Sequence, residues 1–363
     1  MKNMWKRCAS AMLAAMMLGS AAAVMPAKAE AMNIVVLGDS IALGSTPDGT
    51  NVTSYAQLVQ AHYGAQMSVF ATEHCTTDEL LVTLEDAQVQ AALESADIIL
   101  VNIGMHDILD PFLVEAENLK NEFGFENFFD VFSAQLSDYG ITDQNELLTY
   151  SIALTTAARS NMKTCGANIK TIGSKLDAYC GDGTRIVYQK AYNMMDNLPF
   201  YDTLSENRQL AYDKIRNPIG AILDEFVNEN IDAVIKKKDY AMAVDAYTFF
   251  AGKANTYTYL SRLDMNPNAK GQQFLYEETL AALGEIEFLK GDANHDGVVN
   301  ATDASIILRY SARIGAGWED GGLMPATLEY VDVIADGAVN AKDASRVLLY
   351  AAMAGAKLDP TWD

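Results

Sequence analysis

The twelve residues Asp292-Ala293-Asn294-His295-Asp296-Gly297-Val298-Val299-Asn300-Ala301-Thr302-Asp303 return forty positions later as Asp332-Val333-Ile334-Ala335-Asp336-Gly337-Ala338-Val339-Asn340-Ala341-Lys342-Asp343. The same shift carries Ala304-Ser305 onto Ala344-Ser345, Leu308 onto Leu348 and Tyr310 onto Tyr350, so the C-terminal region is one unit used twice. Side-chain oxygens at loop positions 1, 3, 5, 9 and 12, glycine at 6 and a backbone carbonyl at 7 form the donor set of a hard cation such as calcium. The first loop supplies Asp292, Asn294, Asp296, Asn300 and Asp303, with the Val298 carbonyl. The second supplies Asp332, Asp336, Asn340 and Asp343, with the Ala338 carbonyl. Ile334 stands at its third position and offers no oxygen, so the second loop is expected to bind more weakly.

Both loops end in Asp where an EF-hand has Glu, and each leads directly into one apolar helix. In these respects Leu289 to Asp363 resembles a dockerin, the calcium-dependent module that attaches enzymes to a scaffolding protein in cellulosome-type complexes. The resemblance implies Ca2+ as cofactor and a cohesin-bearing scaffold protein as partner. It also implies partner choice through Ala301-Thr302 and Ala341-Lys342, with Leu308, Arg309, Leu348 and Leu349 on the contacting helices.

The N-terminus begins with Lys2, Lys6 and Arg7, continues as an apolar run from Ala9 to Met25 and ends in Ala27-Lys28-Ala29. That order reads as a secretory signal peptide over residues 1–29, with cleavage expected after Ala29 and a secreted, extracellular product. A membrane anchor is the competing reading, but Gly19, Ser20 and Pro26 interrupt the run and no second span follows. Cleavage would take the formal charge from −22 to about −26, which disfavours nucleic acid and anionic membrane surfaces as partners. Cys75, Cys165 and Cys180 would remain. A helix running to Tyr179 would separate the last two by roughly 22 Å, too far to bridge. Cys165 and Cys180 are expected as packed thiols.

Half of the residues are hydrophobic, enough for one large core and one small one. The reading divides the chain into residues 30–287 and 288–363, with no Pro/Thr-rich spacer between them, so the two units are expected to pack together. Apolar runs at Asn33 to Leu37, Met67 to Ala71, Ile98 to Ile103, Arg185 to Tyr188 and Ala241 to Val244 alternate with helical stretches. Strands apolar on both faces and separated by helices predict a three-layer α/β fold around a five-stranded parallel sheet. Ligands collect at the C-terminal strand ends of such sheets. Ser40, His74, His106 and Asp264 follow strand ends or the loop after the last strand.

Three blocks in this region resemble the SGNH (GDSL) hydrolases, which are mostly esterases, lipases and carbohydrate deacetylases. They are Val36-Leu37-Gly38-Asp39-Ser40-Ile41-Ala42-Leu43-Gly44, Ile103-Gly104-Met105-His106-Asp107-Ile108-Leu109 and Leu263-Asp264-Met265-Asn266-Pro267-Asn268-Ala269-Lys270-Gly271. Tyr192-Asn193 is also similar to the family. The resemblance implies Ser40 as nucleophile and Asp264 as orienting acid. It implies a general-base histidine at position 266, where this chain has Asn266, and an oxyanion-hole asparagine at 106, where it has His106. A small glycine of the family falls at His74.

Without a base a serine hydroxyl is a weak nucleophile, and an amide cannot take its proton. Two readings follow from these departures. In one the module is a serine ester hydrolase acting on acyl or acetyl esters of plant polysaccharide, with His106 or His74 as a relocated base or as a neutral donor to an oxyanion, and Asp107 orienting His106. In the other it is an inactive binding or structural subunit, a pseudoenzyme in which Asn266→His would raise ester hydrolysis. His62 is expected to pack on its helix, and His295 to face outward from its loop.

Overall fold

The computed structural model describes residues 32–124, 144–197, 201–236, 238–262, 264–285, 289–294, 297–318, 321, 323 and 325–362. The expected signal segment and its cleavage point, the boundary at 287/288, Asp296 and His295 lie outside the described residues.

Five strands, β1 (Asn33–Gly38), β2 (Gln66–Ala71), β3 (Ile98–Asn102), β4 (Arg185–Gln189) and β5 (Ala241–Val244), form one sheet. Their order is β2-β1-β3-β4-β5 and every pair is parallel. The second and third strands therefore flank the first, as the SGNH resemblance implies. The chain leaves β1 first to one side and then to the other, which opens a crevice at the C-terminal end of β1. Gly38 closes that strand with φ +116°, and a Cβ there would lie 1.6 Å from the Asn102 carbonyl oxygen. Only glycine lets β1 and β3 approach so closely before the chain turns into Asp39 and Ser40.

Burial follows position in the sheet. Strand β3 is buried throughout and β1 from Ile34 onward, because both have neighbours on either side and helices on both faces. Strand β2 departs from the expected two-sided burial, with Gln66, Ser68 and Val69 exposed. It is an edge strand, so one side lacks a neighbour and its polar residues face water.

Helices α1 (Ser40–Leu43), α2 (Tyr55–Tyr63), α3 (Thr77–Thr83) and α4 (Ala87–Glu94) lie within the first two βα units. Helix α5 (Met105–Phe123) follows β3 and packs with α6 (Gln144–Ala158), which also packs on α8 (Glu206–Leu223). Helix α7 (Met162–Tyr179) packs with α3, α4 and α9 (Glu229–Ile235) in one layer, and α10 (Ala269–Ala282) with α2 in the other. Cys165 is buried in the first turn of α7 and Cys180, half-buried, caps its far end; both are free thiols, as is buried Cys75. His62 is exposed rather than packed, its Nδ1 lying 3.4 Å from the Tyr276 hydroxyl.

The C-terminal unit has its own small core. Helices α11 (Ala301–Gly315) and α13 (Ala341–Gly355) pack against each other, with α12 (Pro325–Val331) between them in sequence. Ala293, Ala304 and Ile307 are buried beside their repeats Val333, Ala344 and Val347. Trp362 stacks on Tyr350 at 4.1 Å between ring centroids, and Gly291 lies so close to the indole that a side chain there would clash. Helix α12 packs on α10, and Lys253 pairs with Glu329 across the junction, so the two units touch as expected from the missing spacer. Among the described residues no helix is long and apolar enough to cross a membrane.

Candidate active site and calcium loops

The Asp39 carboxylate accepts the Ile41 N–H at 3.0 Å and so caps α1, which places Ser40 at the first helical position just beyond β1. Ser40 is 1% exposed. Its Oγ donates to Asn266 Oδ1 at 2.9 Å and lies 3.3 Å from His106 Nε2. The hydroxyl has a single proton, so it serves one of these acceptors at a time.

His106 reaches Ser40 because Gly104, at φ +99°, turns the chain from β3 into α5 and leaves the imidazole in the first helical turn. Asp110 lies one turn further on the same face, and its Oδ1 is 2.7 Å from His106 Nδ1. A proton on Nδ1 shared with this carboxylate leaves Nε2 as a lone-pair acceptor aimed at Ser40. Burial pulls the imidazole's pKa down, but the Asp110 hydrogen bond and the charges of Asp39, Asp110 and Asp107 outweigh it and leave the net above the ordinary value. Burial alone would raise Asp110, yet its bonds to His106 and His74 hold it below the usual carboxylate range. Burial pushes Asp39 up to about 6.

Asp107, expected to orient His106, does not. Its carboxylate faces α3, where it accepts the Thr77 N–H at 2.8 Å and the Thr77 hydroxyl at 2.5 Å. Successive helical residues point about 100° apart, so the neighbour of His106 leaves the site while the residue four positions on returns to it. The sequence reasoning missed Asp110, whose signal was that i, i+4 spacing.

Asp264 Oδ1 accepts the Asn266 backbone N–H at 2.6 Å, so it shapes the loop that presents Asn266. The Tyr192 hydroxyl holds that loop from below by donating to the Met265 carbonyl at 2.5 Å. His74, in the loop after β2, adopts a left-handed backbone with φ +55°. Its ring packs edge-on to that of His106 at 4.7 Å, its Nδ1 lies 3.3 Å from Asp110 Oδ1, and its side chain is 65% exposed. His74 thus meets Ser40 only through His106 and Asp110. A cavity of about 330 Å³ opens above this group, lined by Ser45, Glu73, His74, His106, Asp264 and Asn266, with Ser40 beneath its floor.

The two loops near the C-terminus are built alike. Gly297 and Gly337 turn with φ +79° and +80°. Asn300 and Asn340 cap α11 and α13, while the Asp303 and Asp343 carboxylates accept the N–H groups of the capping residues. In the first loop Asp292 is fully buried, its Oδ2 accepts the Gly297 N–H, and its Oδ1 has no hydrogen-bond partner among the described residues. A buried carboxylate oxygen left unpaired fits a cation bound there. Burial, with the nearby Asp292 charge, raises Asp303. In the second loop both Asp332 oxygens accept backbone N–H groups, and the Lys342 ammonium lies 3.1 Å from Asp336 Oδ2. Besides lacking an oxygen at Ile334, this loop has an internal cation paired with one of its candidate ligands.

Residues 290–350 match the model of the dockerin type I domain. The chain therefore joins an α/β module built on a five-stranded parallel sheet to a region that matches the dockerin model. No curated protein matches it. Among solved structures it is similar to the lipase Lip_vut3 from a goat rumen metagenome, at 16% identity and TM-score 0.42, covering 69% of this chain and 97% of that one. Phospholipase A1 from Streptomyces albidoflavus NA297 is similar at 14% identity and TM-score 0.43, covering 69% and 99%. A member of the lipolytic G-D-S-L family from Veillonella parvula DSM 2008 is similar at 13% identity and TM-score 0.38, covering 70% and 100%.

Proposed function

We propose that this chain is a secreted serine ester hydrolase, carried to a cohesin-bearing scaffold by its dockerin, whose general base is His106 in place of a histidine at 266. One observation carries the reading: His106 faces Ser40 Oγ through Nε2 at 3.3 Å and Asp110 through Nδ1 at 2.7 Å. This is the nucleophile, base and orienting acid of a serine triad, recognised by geometry and not by chain position. His106 takes the Ser40 proton as Oγ attacks an acyl carbonyl, Asp110 stabilises the imidazolium, and the proton passes to the departing alcohol. A water activated by the same nitrogen then releases the acid. The small polar cavity suits short acyl groups, such as acetyl esters of a polysaccharide. Calcium held by Asp292, Asn294, Asp296, Asn300, Asp303 and the Val298 carbonyl would neutralise the clustered carboxylates and order the dockerin helices.

A fluorophosphonate probe tests the reading on the full chain. Labelling is expected in wild type, absent in Ser40→Ala, strongly reduced in His106→Ala and retained in Asn266→Ala. Labelling that ignores His106 but rises in Asn266→His would show that the base has not moved. A second reading is favoured by the 1% exposure of Ser40 and its hydrogen bond to an amide: a non-hydrolytic subunit that holds a sugar in the cleft. Sugar binding with no Ser40 labelling would establish it.

A further inference from the structure

We propose that His74, His106 and Asp110 bind a divalent transition-metal ion of the zinc type, and that the bound ion withdraws His106 from Ser40. The first part stands on geometry alone; the second rests on the hydrolytic reading above. Two imidazoles from separate elements, the loop after β2 and the first turn of α5, turn their Nδ1 atoms toward one carboxylate, at 3.3 and 2.7 Å. The three donor atoms lie within 4.8 Å of one another. Ligands about 2.0 to 2.2 Å from a tetrahedral ion are separated by about 3.3 to 3.6 Å, so closure requires a shift of little more than about 1 Å. The exposed His74 side chain is free to supply it, while His106 is already fixed by packing and by Ser40 on its other nitrogen.

Donor chemistry selects the ion. Two imidazole nitrogens and one carboxylate suit zinc, cobalt or copper and not calcium, which the oxygen-rich loops take instead. Three protein ligands leave a coordination position open to the cavity.

Binding moves one proton. The ion takes His106 Nδ1, and the hydrogen it displaces passes through solvent to Nε2, so the ring stays neutral and carries that same hydrogen on Nε2. That N–H donates to Ser40 Oγ, whose own proton goes to Asn266 Oδ1 in the orientation already present. Every donor is then satisfied, yet neither the metallated imidazole nor the amide can accept the Ser40 proton. The nucleophile is silent until the ion leaves.

The test uses the full chain in excess calcium, so that the loops are filled. Cobalt is expected to give a visible d–d band that saturates at one ion per chain. His74→Ala and His74→Gly should each weaken it by more than about tenfold, loss of a ligand costing at least as much as loss of a supporting contact. The glycine variant also suits the left-handed backbone at 74 and guards against misfolding. Zinc should suppress fluorophosphonate labelling at least tenfold in wild type, reversibly, and less in either variant, each compared with its own metal-free rate. No cobalt band, or a band untouched by either variant, would overturn the site. A saturating band with labelling unchanged would overturn the silencing. Absence of labelling without metal would overturn the hydrolytic reading and the silencing with it, while the cobalt spectrum still decides the site.

Discussion

Asp107 and Asp110 are both near His106 in sequence, but only Asp110 touches its imidazole, and this difference can be measured. Replacing Asp110 with Asn puts an amide against Nδ1 and favours the wrong tautomer. Turnover of a small acetyl ester is expected to fall by on the order of 10³ to 10⁴, as in other triads that lose the orienting acid. Asp107→Asn should change turnover little, because its carboxylate accepts from Thr77. It should instead lower stability by about 1–3 kcal/mol in urea denaturation, the cost of a disturbed buried hydrogen-bond pair. Equal kinetic losses in the two variants would mean that the imidazole is oriented otherwise.

The two loops share a frame and differ in ligands. Calorimetry of calcium binding should resolve one tight event, lost in Asp292→Ala, and one weaker event. Ile334→Asn supplies the missing oxygen and Lys342→Gln removes the ammonium from Asp336, so either should tighten the weaker event. Two equal events in wild type would contradict this account. Helix α10 carries a second testable group, Glu278, whose carboxyl is pushed up to about 7 by burial and by the charges of Glu329 and Asp245. An acid with a raised folded pKa binds more protons folded than unfolded, so its contribution to stability is lost as pH rises from its unfolded value through about 7. Glu278→Gln should therefore stabilise the protein above about pH 7 and leave it nearly unchanged below the unfolded range near pH 4. Thermal melts across that window would show the crossover, and a variant equally stabilised at every pH would contradict it.

Across the whole molecule, the α/β module and the dockerin touch through α10 and α12, while Leu308, Leu348 and Leu349 remain exposed on α11 and α13. Leu308 and its repeat Leu348, with Leu349 beside the latter, suit the expected cohesin contact. Chelation of calcium should abolish binding to a cohesin-bearing scaffold, because the loops that orient both helices lose their ion. Binding that survives chelation would place the contact elsewhere.

The repeat and the missing side-chain oxygen at Ile334 were legible in the sequence, because the candidate donors of one loop lie within twelve consecutive residues. The five strands were legible for a similar reason, each being a short contiguous apolar run. The exposed face of β2 was not, since an edge is a property of strand order. The arrangement of the candidate site depended still more on tertiary structure. Ser40, His106, Asp110 and Asn266 come from three distant segments, and only the order β2-β1-β3 sets the ends of β1 and β3 side by side. Helical rotation then decided which of two nearby carboxylates meets His106, and the left-handed turn at His74 decided that a second imidazole meets the same one.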